Sequence, residues 1–275
     1  MKHSTYLLKD HFKPIIAGVF FLFTYVPAIF WMWERWFSRD SYYSHGILIP
    51  FVTAFLIWQK REELQEIKRQ RSVWGLVLVT VGMVIHFISS LLRIYFSSGF
   101  SMLIVLSGLI LHFYGSRVLR KIIFPVCFLF FMVPLPLVVI VNISFKMKLF
   151  AAEIAAKILN HMGLFAVRQG SIIKMHHAYV IVDDVCSGLR SLISLAALGS
   201  ICAYWLKAPM YKRIFLFLTT FPIAIITNVC RVVLLASISE IWGPRYASGI
   251  VHDLSGFLVF ALAFVLLYVV GKLIE

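Results

Sequence analysis

The stretch that decides the fold is VWGLVLVTVGMVIHFISSLL, residues 73–92. It contains no Asp, Glu, Lys or Arg, and it has the length of roughly 20 apolar residues that a helix needs to cross the hydrocarbon core of a bilayer. Similar runs recur along the chain, for example at residues 95–114 and 255–273. The sequence therefore predicts a protein with several helices that span a lipid bilayer.

The composition agrees with this prediction. Of the 275 residues, 61% are hydrophobic and 14% are charged, and the mean hydropathy is +0.91. A soluble domain of this size cannot bury so much apolar surface, whereas a polytopic membrane protein presents it to lipid. The net charge is +14, but the basic residues lie in short loops between apolar runs. That distribution is typical of cytoplasmic loops and argues against nucleic-acid binding.

The apolar runs predict an all-α polytopic membrane protein, a single integral-membrane domain over residues 1–275 with about eight membrane-spanning helices. The predicted spans are residues 14–33, 46–59, 73–92, 95–114, 120–142, 187–206, 212–236 and 255–273. The first run lacks a cleavage pattern, so we expect a retained helix rather than a signal peptide. The fifth contains Pro134 and Pro136, which must kink or break it.

Basic residues are concentrated in alternate connections between the predicted spans. The rich segments hold Lys2, Lys9 and Lys13, then Lys60, Arg61, Lys68, Arg69 and Arg71, then Arg117, Arg120 and Lys121, and finally Lys207, Lys212 and Arg213. Because cytoplasmic loops carry the excess of Lys and Arg, both termini are predicted to be cytoplasmic.

Residues 143–185, between predicted spans five and six, form the longest connection and are predicted to be extracytoplasmic. Residues 145–162 place apolar side chains on one face and polar ones on the other, and Gly163 suits a helix stop. We expect an amphipathic helix in the outer interface, with a soluble cap helix as the alternative. Residues 165–182 then predict a short β-hairpin, with turns at "RQGS" and "HHA".

Chemically reactive residues collect on the outer side of this topology. The stretch DDVCSGLRS, residues 183–191, places Cys186 at the outer start of helix six. Arg231 lies about 28 Å along helix seven from Lys212, nearly the full hydrocarbon thickness. His252 precedes helix eight, and His45 opens helix two on the same side. Helix packing can bring these residues together.

Cys186 has two interpretations, an inert buried thiol or a nucleophile. Ser187 and Gly188 suit the start of a helix, whose positive end favours a thiolate. The adjacent acids, Asp183 and Asp184, oppose the thiolate unless they cap the helix or pair with Arg190; we favour capping. Arg190 follows Cys186 by four residues and so shares its helix face.

Arg231 also has two interpretations. It can be a snorkelling residue at the interface, but Asn228 lies one turn away on the same face, and a polar face inside an apolar helix favours function. His252 alone is typical of an interfacial residue. The apolar runs hold no deep acidic residue, which argues against a proton- or sodium-coupled transporter.

The sequence predicts neither a metal site nor a cofactor. Its four cysteines, Cys127, Cys186, Cys202 and Cys230, include no C-x-x-C pair and no zinc spacing. The adjacent His176 and His177 fall in a predicted turn, and two histidines without a third ligand make a weak metal site.

Several short motifs together resemble those of the exosortases and archaeosortases. They are CSGLRS at Cys186–Ser191, NVCR at Asn228–Arg231, HDLSG at His252–Gly256, YSHG at Tyr43–Gly46, and FP with PLP within Phe124–Pro136. Their order and spacing fit nearly the whole chain, whereas any one motif would be weak. The pair Asp183–Asp184 departs from the family, in which a Glu-Ala-like pair precedes the cysteine.

The resemblance implies a membrane-embedded cysteine transpeptidase of the cytoplasmic (inner) membrane, with its active site on the extracytoplasmic face. Its catalytic triad would be Cys186, Arg231 and His252. Its partners would be exported client proteins whose C-terminus carries a short motif, a transmembrane helix and a basic tail, often encoded beside exopolysaccharide genes. A lipid or an envelope-linked group, or water, would be the acceptor, and membrane lipids would surround the site.

The residue types suit that chemistry. Cys186 would attack a client carbonyl, and His252 would activate the thiol and then protonate the leaving amine. Arg231 would stabilise the oxyanion or hold a client carboxylate. His45 is a rival or a helper for the role of base, and Arg190, Asn228, Ser187 and Gly188 are expected to support the site. The alternative is a non-enzymatic transporter or assembly subunit for envelope export.

Overall fold

The computed structural model describes residues 2–39, 41–182, 187–247 and 249–275. The described chain is mostly helical, with one small sheet. It divides into two compact units, Met1–Leu135 and Pro136–Glu275. The predicted helical membrane architecture is confirmed at this level.

The first unit consists of helices joined by short connections. Its α-helices are α1 (Lys2–Thr24), α2 (Val26–Phe37), α3 (Leu48–Gln59), α4 (Arg61–Glu66), α5 (Val73–Leu91), α6 (Tyr95–Tyr114) and α7 (Ser116–Phe128), and its two 3-10 helices are Ser44–Ile47 and Leu129–Met132. The decisive apolar stretch forms α5, which pairs with α6. At Gly75 and Gly108 an added Cβ would overlap the backbone of the partner helix, so these glycines permit the close approach.

Polar side chains link the helices of this unit through their apolar surroundings. The Tyr25 hydroxyl and the Ser101 Oγ lie 2.9 Å apart, and the Nδ1 of His86 lies 2.9 Å from the Ser98 Oγ. The rings of Tyr25 and His86 also pack together, with 4.4 Å between their centroids. Hydrogen bonds of this kind stabilise the packing of helices inside a bilayer, where no hydrophobic effect drives helices together.

The second unit surrounds one long helix. Its elements are α8 (Leu137–His161), β1 (Val167–Gln169), β2 (Ile172–Lys174), β3 (Tyr179–Ile181), α9 (Leu189–Trp205), α10 (Met210–Trp242) and α11 (Ile250–Ile274). On one side of α10, alanines of α8 and buried residues of the sheet pack against Val229, Val232 and Ala236. On another side, Ala224 and Leu216 pack with α9 and α11. This packing fixes the rotation of α10 about its axis.

Among the described residues, four helices are long and apolar enough to cross a bilayer: α5, α6, α10 and Leu254–Ile274 of α11. Two bent pairs raise the number to six if each is one span. Phe12–Thr24 and Val26–Phe37 meet at 59°, and Ser116–Met132 and Leu137–His161 meet at 81°. The second bend lies at Pro134 and Pro136, as predicted.

The predicted number of eight spans stays a prediction. The second and sixth predicted spans, residues 46–59 and 187–206, correspond to the shorter apolar helices Ser44–Gln59 and Leu189–Trp205. The latter has 17 residues, which at the α-helical rise extend about 25 Å, less than a bilayer core of roughly 30 Å.

The predicted boundary between span five and the amphipathic helix is wrong. Residues 137–161 form one continuous helix, because no proline or glycine separates the predicted end at 142 from the predicted start at 145. The predicted hairpin is also too small. Instead, β1, β2 and β3 form a three-stranded antiparallel sheet in that order.

Candidate active site

Arg231 and His252, predicted from distant motifs, lie in contact in the second unit. Arg231 stands on α10 and is half-buried. Its Nη2 donates to the backbone oxygen of His252 at 3.0 Å and lies 3.4 Å from the His252 Nε2. The two residues are 21 positions apart in the chain, so the packing of α11 against α10 creates this pair.

The geometry of this contact brings together two groups with different chemistry. A guanidinium only donates hydrogen bonds, and 3.4 Å between the Arg231 Nη2 and the His252 Nε2 is long for such a bond. The pair places a cation with several donors beside an imidazole, the side chain that most often serves as a general base.

Ser255, one turn beyond His252, completes this arrangement. It is 4% exposed, and its Oγ accepts a hydrogen bond from the Arg231 Nε at 3.0 Å. The same hydroxyl donates to the backbone oxygen of His252 at 2.6 Å. Ser255 is not among the site residues predicted from the sequence, although it lies within the HDLSG motif and its spacing of three residues places it on the face of His252.

The start of α9 is anchored to α10 close to this pair. Gly188 is the N-cap of α9 and has a φ of +79°. An added Cβ there would lie 2.6 Å from the Cγ of Asn228, which is 3% exposed and stands three residues before Arg231. Ser187 is fully buried, and its Oγ accepts from the backbone nitrogen of Leu189 at 3.3 Å. The residues that follow Cys186 are therefore held against the polar face of α10.

Three predicted positions in the same stretch, Cys186, Asp183 and Asp184, lie outside the described residues. Arg190 is described and half-buried. Its Nε is buried and donates to no acceptor within the described part of the chain.

His45 belongs to the first unit, not to the unit that carries Arg231 and His252. It lies in the 3-10 helix Ser44–Ile47, and its ring stacks on Tyr43 with 5.9 Å between centroids. Next to it, Gly46 lies against the Trp36 indole, which donates to the Met132 backbone oxygen at 2.8 Å. The predicted role of His45 as rival or helper base stays a prediction.

A cavity of about 400 Å³ adjoins the anchored start of α9. Its lining consists of Lys146, Met147, Phe150 and Ala151 from α8, Ser187, and Ile225 and Asn228 from α10. Apolar side chains make up most of this wall, and Ser187 and Asn228 add polar groups to it. The cavity can take an apolar side chain beside a peptide backbone.

The described cysteines offer no second candidate for a nucleophile in this arrangement. Cys230 precedes Arg231 but is exposed on the other side of α10, and Cys127 and Cys202 belong to apolar helices. In the described ranges no three His, Cys, Asp or Glu side chains are grouped so that they could hold a metal ion.

Comparison with known families gives one match. The family described as transmembrane exosortase matches residues 31–269, which include every motif named above. No curated protein and no solved structure matches the chain.

Proposed function

The chain belongs to the transmembrane exosortase family, and from this premise we propose that it is a membrane cysteine peptidase and transpeptidase acting on C-terminal sorting signals. Its substrates are exported proteins whose C-terminus carries a short motif, a transmembrane helix and a basic tail. The observation that carries the proposal is the contact between Arg231 and His252, which places a guanidinium against an imidazole. The enzyme works in the cytoplasmic membrane, with this pair on the outer face.

In the proposed reaction, the Cys186 sulfur attacks the carbonyl carbon of the scissile peptide bond. The thiol proton goes to the imidazole of His252. The carbonyl oxygen becomes an oxyanion, which the guanidinium of Arg231 stabilises with N–H groups. When the tetrahedral intermediate collapses, His252 gives the proton to the leaving amine and a thioester remains on Cys186.

A second nucleophile then releases the client. An amine or hydroxyl of a lipid or envelope-linked acceptor, or water, attacks the thioester carbonyl, and the proton that it loses passes through His252 to the departing thiolate. Transfer and hydrolysis differ only in this nucleophile. The cavity lined by Ser187 and Asn228 supports binding of the client chain, because its mostly apolar wall suits an apolar side chain.

The role of Cys186 is tested by Cys186→Ala in cells that produce a client with the C-terminal signal. We expect the variant to accumulate in the membrane and the client to stay full-length. The matched control is Cys230→Ala, whose side chain lies outside the site. Mass spectrometry of the client's new C-terminus gives the cleavage position and any attached acceptor in one measurement.

Two outcomes decide between the proposed enzyme and a non-enzymatic envelope subunit. Unprocessed client with Cys186→Ala and normal processing with Cys230→Ala support the enzyme. Normal processing with Cys186→Ala overturns it, because the subunit tolerates loss of this thiol.

A further inference from the structure

We propose that Ser255 is a positioning residue that holds the Arg231 guanidinium in the orientation needed for the reaction. This inference rests on the proposed function and concerns the same site. Within the described residues, the Ser255 hydroxyl contacts Arg231 and His252. It acts on the reaction through Arg231.

The two partners of the Ser255 hydroxyl determine which hydrogen bond it donates and which it accepts. Its single proton is donated to the backbone oxygen of His252 at 2.6 Å. Because that proton is committed, the oxygen faces Arg231 as an acceptor only, and Nε donates to it at 3.0 Å. The hydroxyl is 4% exposed, so water does not compete for either contact.

These bonds occupy one edge of the guanidinium. Nε is bound to Ser255, and Nη2 is bound to the first turn of α11 through the His252 backbone. Within the described residues no hydrogen bond engages Nη1, which carries two further donors. Ser255 therefore helps to hold the guanidinium against the start of α11 and leaves the donors of Nη1 for the carbonyl of the proposed reaction.

A purely structural role is the alternative. Serines in membrane helices often donate to the carbonyl three or four residues earlier, and Ser200 does so in α9, at 2.7 Å from the Ala197 oxygen. Within the described part of the chain, the Ser200 hydroxyl has no arginine partner. It is a matched control, because replacing it removes the same kind of backbone bond without changing Arg231.

The test compares Ser255→Ala, Ser255→Thr and Ser200→Ala in the full-length protein, purified in lipid nanodiscs and assayed with a synthetic client peptide. We expect Ser255→Ala to lower kcat about 10- to 100-fold with little change in KM, the size of effect that misplacement of a catalytic group produces. Ser255→Thr keeps the hydroxyl and restores most of kcat. Ser200→Ala retains the wild-type kcat, and thermal unfolding shows whether each variant is folded.

A double-mutant cycle separates positioning from mere packing. If Ser255 acts through the fork of Arg231, Ser255→Ala costs little further activity in an Arg231→Lys background, where the fork is absent. Equal losses in both backgrounds overturn the proposal, as does a normal kcat for Ser255→Ala. Cys186→Ala, assayed alongside, distinguishes the two levels. If that variant still cleaves, the proposed function fails, whereas if it is inactive and Ser255→Ala is normal, only the role of Ser255 fails.

Discussion

At the scale of single residues, the polar face of α10 carries the contacts that define the candidate site. Asn228 touches Gly188 at the start of α9, and Arg231 binds His252 and Ser255 at the start of α11. One face of one helix thus fixes the beginnings of two others. The sequence predicts Asn228 and Arg231 on a common face from their spacing, because neighbouring turns of a helix project in the same direction.

Gly188 is a residue whose backbone conformation and close neighbour both exclude a side chain. Its φ of +79° disfavours any side chain, and a Cβ would press on Asn228. We expect Gly188→Ala to lower the free energy of unfolding by about 1–2 kcal/mol from backbone strain and by about 1–3 kcal/mol more from overpacking. Because the start of α9 would be displaced, client cleavage would fall as well. Thermal unfolding and the cleavage assay measure the two effects.

Gly163→Ala is the control for this prediction. Gly163 also has a positive φ, +83°, but an added Cβ there meets nothing within 4 Å. It isolates the backbone strain, so it should be the milder substitution and should leave cleavage intact. Equal destabilisation by the two variants would contradict the contact with Asn228.

At the scale of elements, the sheet is fastened to the end of α10 by one side chain. Both carboxylate oxygens of Glu240 accept from the backbone nitrogen of His177 at 3.1 Å, and one accepts from that of Ala178 at 3.1 Å. These residues form the turn between β2 and β3, and β3 leads toward residue 186. Glu240 therefore ties the turn between β2 and β3 to the helix that carries Arg231.

Removing this carboxylate should loosen the turn. Hydrogen bonds to charged groups contribute about 1.5–3 kcal/mol each in favourable settings. We expect Glu240→Ala to speed amide hydrogen exchange at His177 and Ala178 about 10- to 100-fold, as measured by mass spectrometry of peptides. Glu153→Gln is the control, since Glu153 pairs with the exposed Lys157 and not with backbone amides. Unchanged exchange in Glu240→Ala would show that the strands hold the turn unaided.

The same elements show why the sequence predicts some boundaries and not others. Pro134 and Pro136 identify the bend before α8 because proline cannot continue a helix. The unbroken course of α8 is not visible in the pattern, because its character changes from lipid-exposed to alanine-rich without a breaker. Periodicity locates such a change in environment, but it does not distinguish the change from a helix end. The hydrogen bonds of Glu240 to the turn between β2 and β3 depend on tertiary packing, and no local sequence pattern predicts them.

At the scale of the whole chain, hydropathy alone is sufficient to predict a helical membrane protein. The long apolar helices and the match to a transmembrane family agree with that prediction. Motifs far apart in the sequence suffice to bring Arg231 and His252 together as candidates, and the contact of α10 with α11 joins them. Ser255 is different, because its position in the HDLSG motif places it on the face of His252 but does not indicate its hydrogen bond with Arg231. The number of spans is the least predictable feature, since short apolar helices satisfy the composition but not the length of a bilayer core.

The orientation of the second unit is the last prediction, and it follows from the ends of α10 and α11. Lys212, near the start of α10, donates to the backbone oxygen of Ile274 at 2.6 Å, so the end of α11 lies beside the basic start of α10. Arg231 and His252 lie toward the opposite ends of these two helices. If the Lys- and Arg-rich end is cytoplasmic, the candidate site faces outward.

In a cysteine-free chain, a membrane-impermeant maleimide should label Tyr246→Cys, between α10 and α11, in intact cells. It should label Lys207→Cys, between α9 and α10, only after the membrane is opened. The reverse pattern would place Arg231 and His252 on the cytoplasmic side, where a client cannot be processed after export, and would count against the proposed reaction as well as the orientation.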